Sequence, residues 1–319
     1  MLENNNFILS NLFKTIRITF LKVKLPGGNR FWITFLSLTF IGLSLFENAD
    51  KLNEIKVTQQ TLCAIGFSIL LNIIALILNS FAWKKLLVWL GYKSDKIEIM
   101  RLYLSSNLLK YLPGGIWHFV ERLRVLRLDF NSKKAIKSVI LEPLMMISAS
   151  LILVLSGGWQ SGLALVCFLP AALLVKTIRF PIIRYLEVAK FKQLNLINLD
   201  FQNDRNSFVR NNYPFQVLLI EVFFVLFRFL SFWICLQTFL NESELFFNQW
   251  LAAFSLAWTI GLVVPAAPGG VGVFESIILL RVGQLTSQAD LLAALLFYRL
   301  SVTISDLIAA LLVGKQKSI

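Results

Sequence analysis

The sequence predicts an all-α polytopic membrane protein of about seven to eight transmembrane helices, with two opposed broken helices. Three observations predict it. Hydrophobic residues make up 57% of the 319 positions and charged residues only 15%, with a mean hydropathy of +0.70. The stretches 57–83, 143–175 and 245–274 carry no charge and are long enough to cross roughly 30 Å of hydrocarbon. Two strings, Lys110-Tyr111-Leu112-Pro113-Gly114-Gly115-Ile116-Trp117-His118 and Pro265-Ala266-Ala267-Pro268-Gly269-Gly270-Val271-Gly272, place helix breakers inside apolar sequence. Broken backbone is tolerated at membrane depth only where protein or a polar cavity satisfies its hydrogen bonds.

Taken in order, residues 1–30 form a basic N-terminal segment. The apolar run at 31–46 lacks a following small-residue cleavage site and predicts an uncleaved first span. A second span falls at 61–81, and a half-helix at about 99–117 ends at the first Pro-Gly-Gly. Spans at 138–156 and 160–176 are divided by Ser156-Gly157-Gly158-Trp159-Gln160. The polar stretch 177–213 is too short and too basic to build its own core, and it predicts a surface helix plus a loop. Spans follow at 215–240 and 249–265, then a half-helix at about 268–283, then a last span at 291–313. The whole chain, 1–319, is thus expected to be one membrane domain.

Lys and Arg concentrate in 1–30, 82–101, 110–137, 176–212 and beyond Val313, while the intervening loops 47–60, 157–161, 241–249 and 284–290 hold only Lys51 and Lys56. The positive-inside rule then puts the basic segments and both termini in the cytoplasm. The net charge of +13 follows from that topology, with no nucleic-acid module around it. Juxtamembrane cations suit anionic lipid headgroups at roughly 1 kcal/mol each. On this topology the first motif dips in from the cytoplasm and the second from outside, the geometry of an inverted repeat.

Catalytic chemistry is poorly supplied. The glycine-rich string lacks the Gly-Lys-Ser/Thr ending of a phosphate-cradling loop, and neither His-Glu-x-x-His nor Gly-x-Ser-x-Gly occurs. Cys63, Cys167 and Cys235 lie in apolar spans without metal-ligand spacing and are expected to be packing thiols. No enzymatic activity, cofactor or metal is expected. A further Leu-Pro-Gly-Gly at 25–28 lies outside the apolar runs and predicts a loop.

Candidate binding residues follow from the motifs. Proline at a helix start loses no hydrogen bond, and glycine lets a ligand approach closely. Pro113, Gly114, Gly115, Pro268, Gly269 and Gly270 are therefore candidates, with a half-helix opening at Pro268 aiming its free N–H groups at an anion. Arg122 is a candidate phosphate partner through its planar fork. His118, one turn earlier, joins the set, although a lone histidine more commonly plays a structural part. Glu275, two turns into the helix opening at Pro268, either balances a cationic headgroup or carries a proton.

Charges inside spans cost at least roughly 2.5 kcal/mol at mid-bilayer on insertion scales unless paired or wet. Glu142, Glu221, Arg228, Glu275, Arg299 and Asp306 qualify. Glu221 and Arg228 are seven apart, as are Arg299 and Asp306, which puts each pair on one helical face. Either structural ion pairing or a pathway role fits them.

The string Ser106-Asn107-Leu108-Leu109-Lys110-Tyr111-Leu112-Pro113-Gly114-Gly115-Ile116-Trp117-His118 with Arg122, and the later Pro-Gly-Gly-Val-Gly-Val-Phe-Glu275, resemble the lysylphosphatidylglycerol synthase transmembrane region, a flippase-like membrane domain. The resemblance covers nearly the whole chain. It implies a polytopic α-helical unit with opposed re-entrant helices that moves aminoacylated or otherwise modified phospholipids between leaflets. It implies the flippase-like part alone, without the aminoacyl transferase domain, and matches Arg122 and Glu275 to the family's charged positions. The expected function is therefore movement of a phospholipid or other anionic lipid across the cytoplasmic membrane. Membrane lipids are the expected partners. Alternatives are a secondary transporter of a small soluble anion, or a non-catalytic membrane partner of a lipid or glycan biosynthetic enzyme.

Overall fold

A computed structural model describes residues 58–93, 98–112, 116–157, 213–240, 245–264 and 272–314. Among the described residues the fold is helical throughout. The expected spans at 31–46 and 160–176, both Pro-Gly-Gly tripeptides, and most of the 177–213 loop lie outside the described residues.

Helix α1, Gln59–Trp89, starts where Thr58 and Thr61 satisfy each other's backbone N–H groups through their hydroxyls, both at 3.3 Å. It stops at Gly91, whose φ of 94° is open to glycine. There the Tyr92 N–H reaches Leu87 O at 2.9 Å and the Gly91 N–H reaches Val88 O at 3.0 Å, a Schellman closure. Helix α2, Ile99–Asn107, tightens into a 3-10 turn, Leu108–Tyr111, just before the first motif. Helix α3, Trp117–Leu126, leaves the other side of that motif. The half-helix predicted at about 99–117 is shorter than expected: its helical part ends at Tyr111, and Trp117 belongs to α3, a helix the sequence did not predict.

Helix α4, Ser132–Val154, carries Pro143 in its interior, and α5 is Phe215–Phe239. Helix α6 is Phe247–Val263, α7 is Val273–Val282 and α8 is Gln288–Val313. Four helices are long and apolar enough to span a membrane: α1, α4 with its following 3-10 turn, α5 and α8. They correspond to the spans predicted at 61–81, 138–156, 215–240 and 291–313. Helix α6 has 17 residues, at the short limit for a crossing.

Helix α5 is central, packing along α1 and also against α8 and α4. One core gathers Phe224, Phe229, Phe232, Phe254, Phe274 and Tyr298, where several rings meet edge to face. A second core forms around Trp83, Leu86, Tyr103, Leu126 and Ile136.

Helix α1 buries small polar residues beside apolar ones and leaves large apolar residues exposed. Its buried positions include Ser68, Asn72, Asn79 and Ser80, while Leu62, Phe67, Leu70 and Ile77 are exposed. Outward-facing apolar residues with small polar residues inside are what a hydrocarbon solvent selects. Ser68 and Ser231 hydroxyls meet at 2.6 Å between α1 and α5, and Ser150 donates to Ser255 O at 2.8 Å between α4 and α6.

Candidate functional site

The polar interior is built in three clusters. The first centres on Asp306 of α8, whose side chain is fully buried. Lys110 Nζ lies 2.6 Å from Asp306 Oδ2, the Tyr111 hydroxyl donates to the same oxygen at 2.6 Å, and Asn107 Nδ2 donates to Oδ1 at 2.9 Å. Arg228 of α5 places NH2 3.8 Å from Oδ1 and donates through NH1 to Asn72 Oδ1 of α1 at 2.9 Å. Asn72 in turn donates to the Ser231 hydroxyl at 2.6 Å and to Ser68 O at 3.0 Å. Hydrogen bonds between α1 and α5 and between α8 and the 3-10 turn before Pro113, joined by the 3.8 Å Arg228–Asp306 ion pair, therefore tie these four elements together.

This cluster is not charge-balanced. Lys110 and Arg228 share one carboxylate, and their side chains are only 20% and 6% exposed. Among the described residues no further acidic group reaches either cation by an ion pair. A buried excess cation draws an anion, since the low dielectric strengthens its field.

The second cluster holds Arg122. Its NH1 bonds both oxygens of Glu142, at 2.8 and 2.9 Å, and its Nε donates to the Ser106 hydroxyl at 3.0 Å. The Tyr103 hydroxyl donates to Glu142 Oε1 at 2.7 Å, and the guanidinium lies 3.6 Å from the Tyr103 ring centroid. Arg122 is 1% exposed. The expected phosphate fork is thus occupied by the protein's own carboxylate, because α3 folds back onto α4.

The third cluster joins α7 to α8. Glu275 Oε2 accepts from the Gly272 N–H at 2.8 Å, and Glu275 Oε1 is paired with Arg299. Helix α7 begins at Val273, so Glu275 sits in its first turn and not two turns inside a helix opening at Pro268. Gly272, with φ of 92°, provides the positive-φ entry to that turn. The helix N-terminus expected to hold an external anion is therefore capped by Glu275 itself.

The same-face pairs also separate. Arg228 turns to Asn72 and Asp306, not to Glu221, and Arg299 turns to Glu275, not to Asp306. Glu221 is 1% exposed, and its Oε2 has no hydrogen-bond partner among the described residues. His118 is half-buried on α3 with its ring against Phe119. Pro113, Gly114, Gly115, Pro268, Gly269 and Gly270 lie outside the described residues.

Lys110, Tyr111, Asn107 and Asn72 were not among the residues expected at the site. Two signals marked Lys110 and Asn72 in the sequence. A lysine stands three residues before a Pro-Gly-Gly in apolar surroundings. Ser68, Asn72 and Asn79 recur at spacings of four and seven, a polar stripe on an otherwise apolar span. Among the described residues no group of three His, Cys, Asp or Glu could hold a metal ion. No protein-family model and no curated protein matches this chain.

Proposed function

We propose that this protein is a multi-pass protein of the cytoplasmic membrane that binds the anionic headgroup of a phospholipid or other lipid within its helix bundle and moves it between leaflets. Both termini are cytoplasmic in this reading, and the tails of the lipid stay in the bilayer. The observation that carries it is the Lys110–Arg228–Asp306 cluster, two cations on one buried carboxylate. A monoanionic phosphate is the matching charge. It would be met by an ammonium and a guanidinium at the turn that leads into the first Pro-Gly-Gly motif.

The finer topology belongs to the same reading. Four long helices supply four crossings, and the apolar stretches at 31–46 and 160–176 would add two more. With α6 and two re-entrant units at the Pro-Gly-Gly motifs, this gives the seven to eight spans and the flippase-like inverted arrangement expected from the sequence. Arg122 and Glu275 act here as braces that hold α3 on α4 and α7 on α8, while Lys110 and Arg228 face the cargo.

The test is transbilayer movement of labelled lipids in proteoliposomes, using phosphatidylglycerol, an aminoacylated phosphatidylglycerol and an isoprenoid phosphate. Wild-type protein is expected to accelerate at least one of them. Lys110→Gln and Arg228→Gln are each expected to slow it at least tenfold, while the exposed Arg124→Ala is expected to leave it unchanged. Absence of movement for every lipid by folded protein overturns the reading. Uptake of a water-soluble anion along an ion gradient, without lipid movement, also overturns it and selects the small-anion transporter.

A further inference from the structure

Helices α1 and α5 run antiparallel in a fixed register. Ser68 meets Ser231, and Asn72 meets Ser231 and Arg228. Two turns further along α1 is Asn79, and two turns back along α5 is Glu221, each seven residues from its neighbour in that register. Asn79 and Glu221 therefore stand at one level on the two facing surfaces. They are 3% and 1% exposed.

At that level hydrogen bonding is incomplete. Asn79 Oδ1 and Glu221 Oε2 both lack a partner among the described residues, and so does Trp83 Nε1, one turn along α1. The two oxygens of an amide and an ionised carboxylate only accept. A single indole N–H satisfies at most one of them. An ionised carboxylate with a buried oxygen that no donor reaches is costly, and neutralising it supplies a donor of its own.

The buried carboxylates on the surrounding helices have partners of their own. On α4, Glu142 is bound by Arg122 of α3 and Tyr103 of α2. Lys137, also on α4, is engaged in interactions of its own. On α8, Asp306 belongs to Lys110 and Arg228, and Arg299 belongs to Glu275. Helix α6 carries no charge.

We propose that Glu221 is a proton-binding site within the bundle, occupied in this conformation, with its carboxyl O–H donated to Asn79 Oδ1. The proton site stands on this geometry alone. A consequence rests on the anion reading above. Neutral Glu221 leaves the Lys110–Arg228–Asp306 cluster with its excess positive charge. Ionised Glu221, on the order of 10 Å along α5 from Arg228, offsets that charge and weakens anion binding by about tenfold. Proton uptake and anion capture are then linked, and a proton gradient becomes a source of directionality.

Infrared spectroscopy of the purified protein in lipid bilayers at neutral pH tests the site without any transport assay. A protonated-carboxyl C=O band is expected in the wild type. It should disappear in Glu221→Gln and shift in Asn79→Leu, where the acid loses its acceptor. Gln reproduces the shape and a donor of the neutral acid, so Glu221→Gln is expected to unfold at the wild-type temperature. A wild type without such a band overturns the proposal, because the Asn79 amide must then present its NH2 group to an ionised carboxylate. A band that survives in Glu221→Gln, or a Glu221→Gln variant markedly less stable than wild type, overturns it as well.

Discussion

Lys110 Nζ meets Asp306 Oδ2 at 2.6 Å, tying the turn that leads into the first Pro-Gly-Gly motif to the second half of the last helix. Asp306 also receives Tyr111, Asn107 and the more distant Arg228, so one carboxylate organises groups from α2, the 3-10 turn, α5 and α8. The position of the 3-10 turn Leu108–Tyr111 relative to the bundle is therefore set by a charge and not by apolar packing alone.

Removing that charge should be severe. Asp306→Asn leaves Lys110 and Arg228 together with no carboxylate, and loss of one partner from a buried pair costs about 3–5 kcal/mol. Thermal unfolding in detergent is expected to show a large drop in the melting temperature. Adding Lys110→Met to Asp306→Asn removes one of the two stranded cations and should recover part of the loss. An Asp306→Asn variant as stable as wild type would contradict this account.

Arg122 and Glu142 should behave as one unit. Each single replacement, Arg122→Met or Glu142→Leu, strands a buried charge and is expected to cost about 3–5 kcal/mol, whereas the double replacement should cost much less than their sum. Unfolding of the four proteins gives the coupling directly. Lipid movement per folded molecule should survive in the double variant, since this pair is placed as a brace. Loss of movement there would return Arg122 to the cargo site.

Much of this architecture could be read from residue order. The apolar runs that became α1, α4, α5 and α8 stand out because each span needs about 20 predominantly apolar residues, whatever it packs against. Partner choice was not legible in the same way. Spacing of seven shows that Glu221 and Arg228 share a face, but not that α5 turns Arg228 toward Asn72 and Asp306. Arg122 looked available because its neighbours in sequence are solvated, Arg124 pairing with Glu121 at the surface, while its true partner Glu142 arrives from α4. Glu275 needed the start of α7 to be known before it could be recognised as a cap.

The end of α1 gives a local prediction. Gly91 has φ of 94°, and a Cβ there would stand 3.3 Å from Lys134 Nζ, the mobile end of a long side chain. Backbone conformation, more than crowding, should set the cost, and Gly91→Ala is expected to destabilise by about 1–2 kcal/mol. Equilibrium unfolding should show this loss. The same substitution at Gly66, which has open space around it and lies inside α1, should not destabilise.

The pairing of Glu275 with Arg299 predicts the outcome of exchanging charges. Glu275→Gln keeps an oxygen to accept from the Gly272 N–H but leaves Arg299 without its carboxylate. Arg299 is 23% exposed, so part of the loss is returned by solvation, and a cost of about 1–3 kcal/mol is expected. The exchange Glu275→Arg with Arg299→Glu restores a pair across α7 and α8 but places a cation at the N-terminus of α7, where the helix dipole opposes it. The exchanged protein should therefore remain less stable than wild type, while being more stable than Glu275→Arg alone. If it matched Glu275→Arg alone in thermal unfolding, the α7–α8 ion pair would contribute nothing, and the capping bond from Gly272 would account for all that Glu275 does.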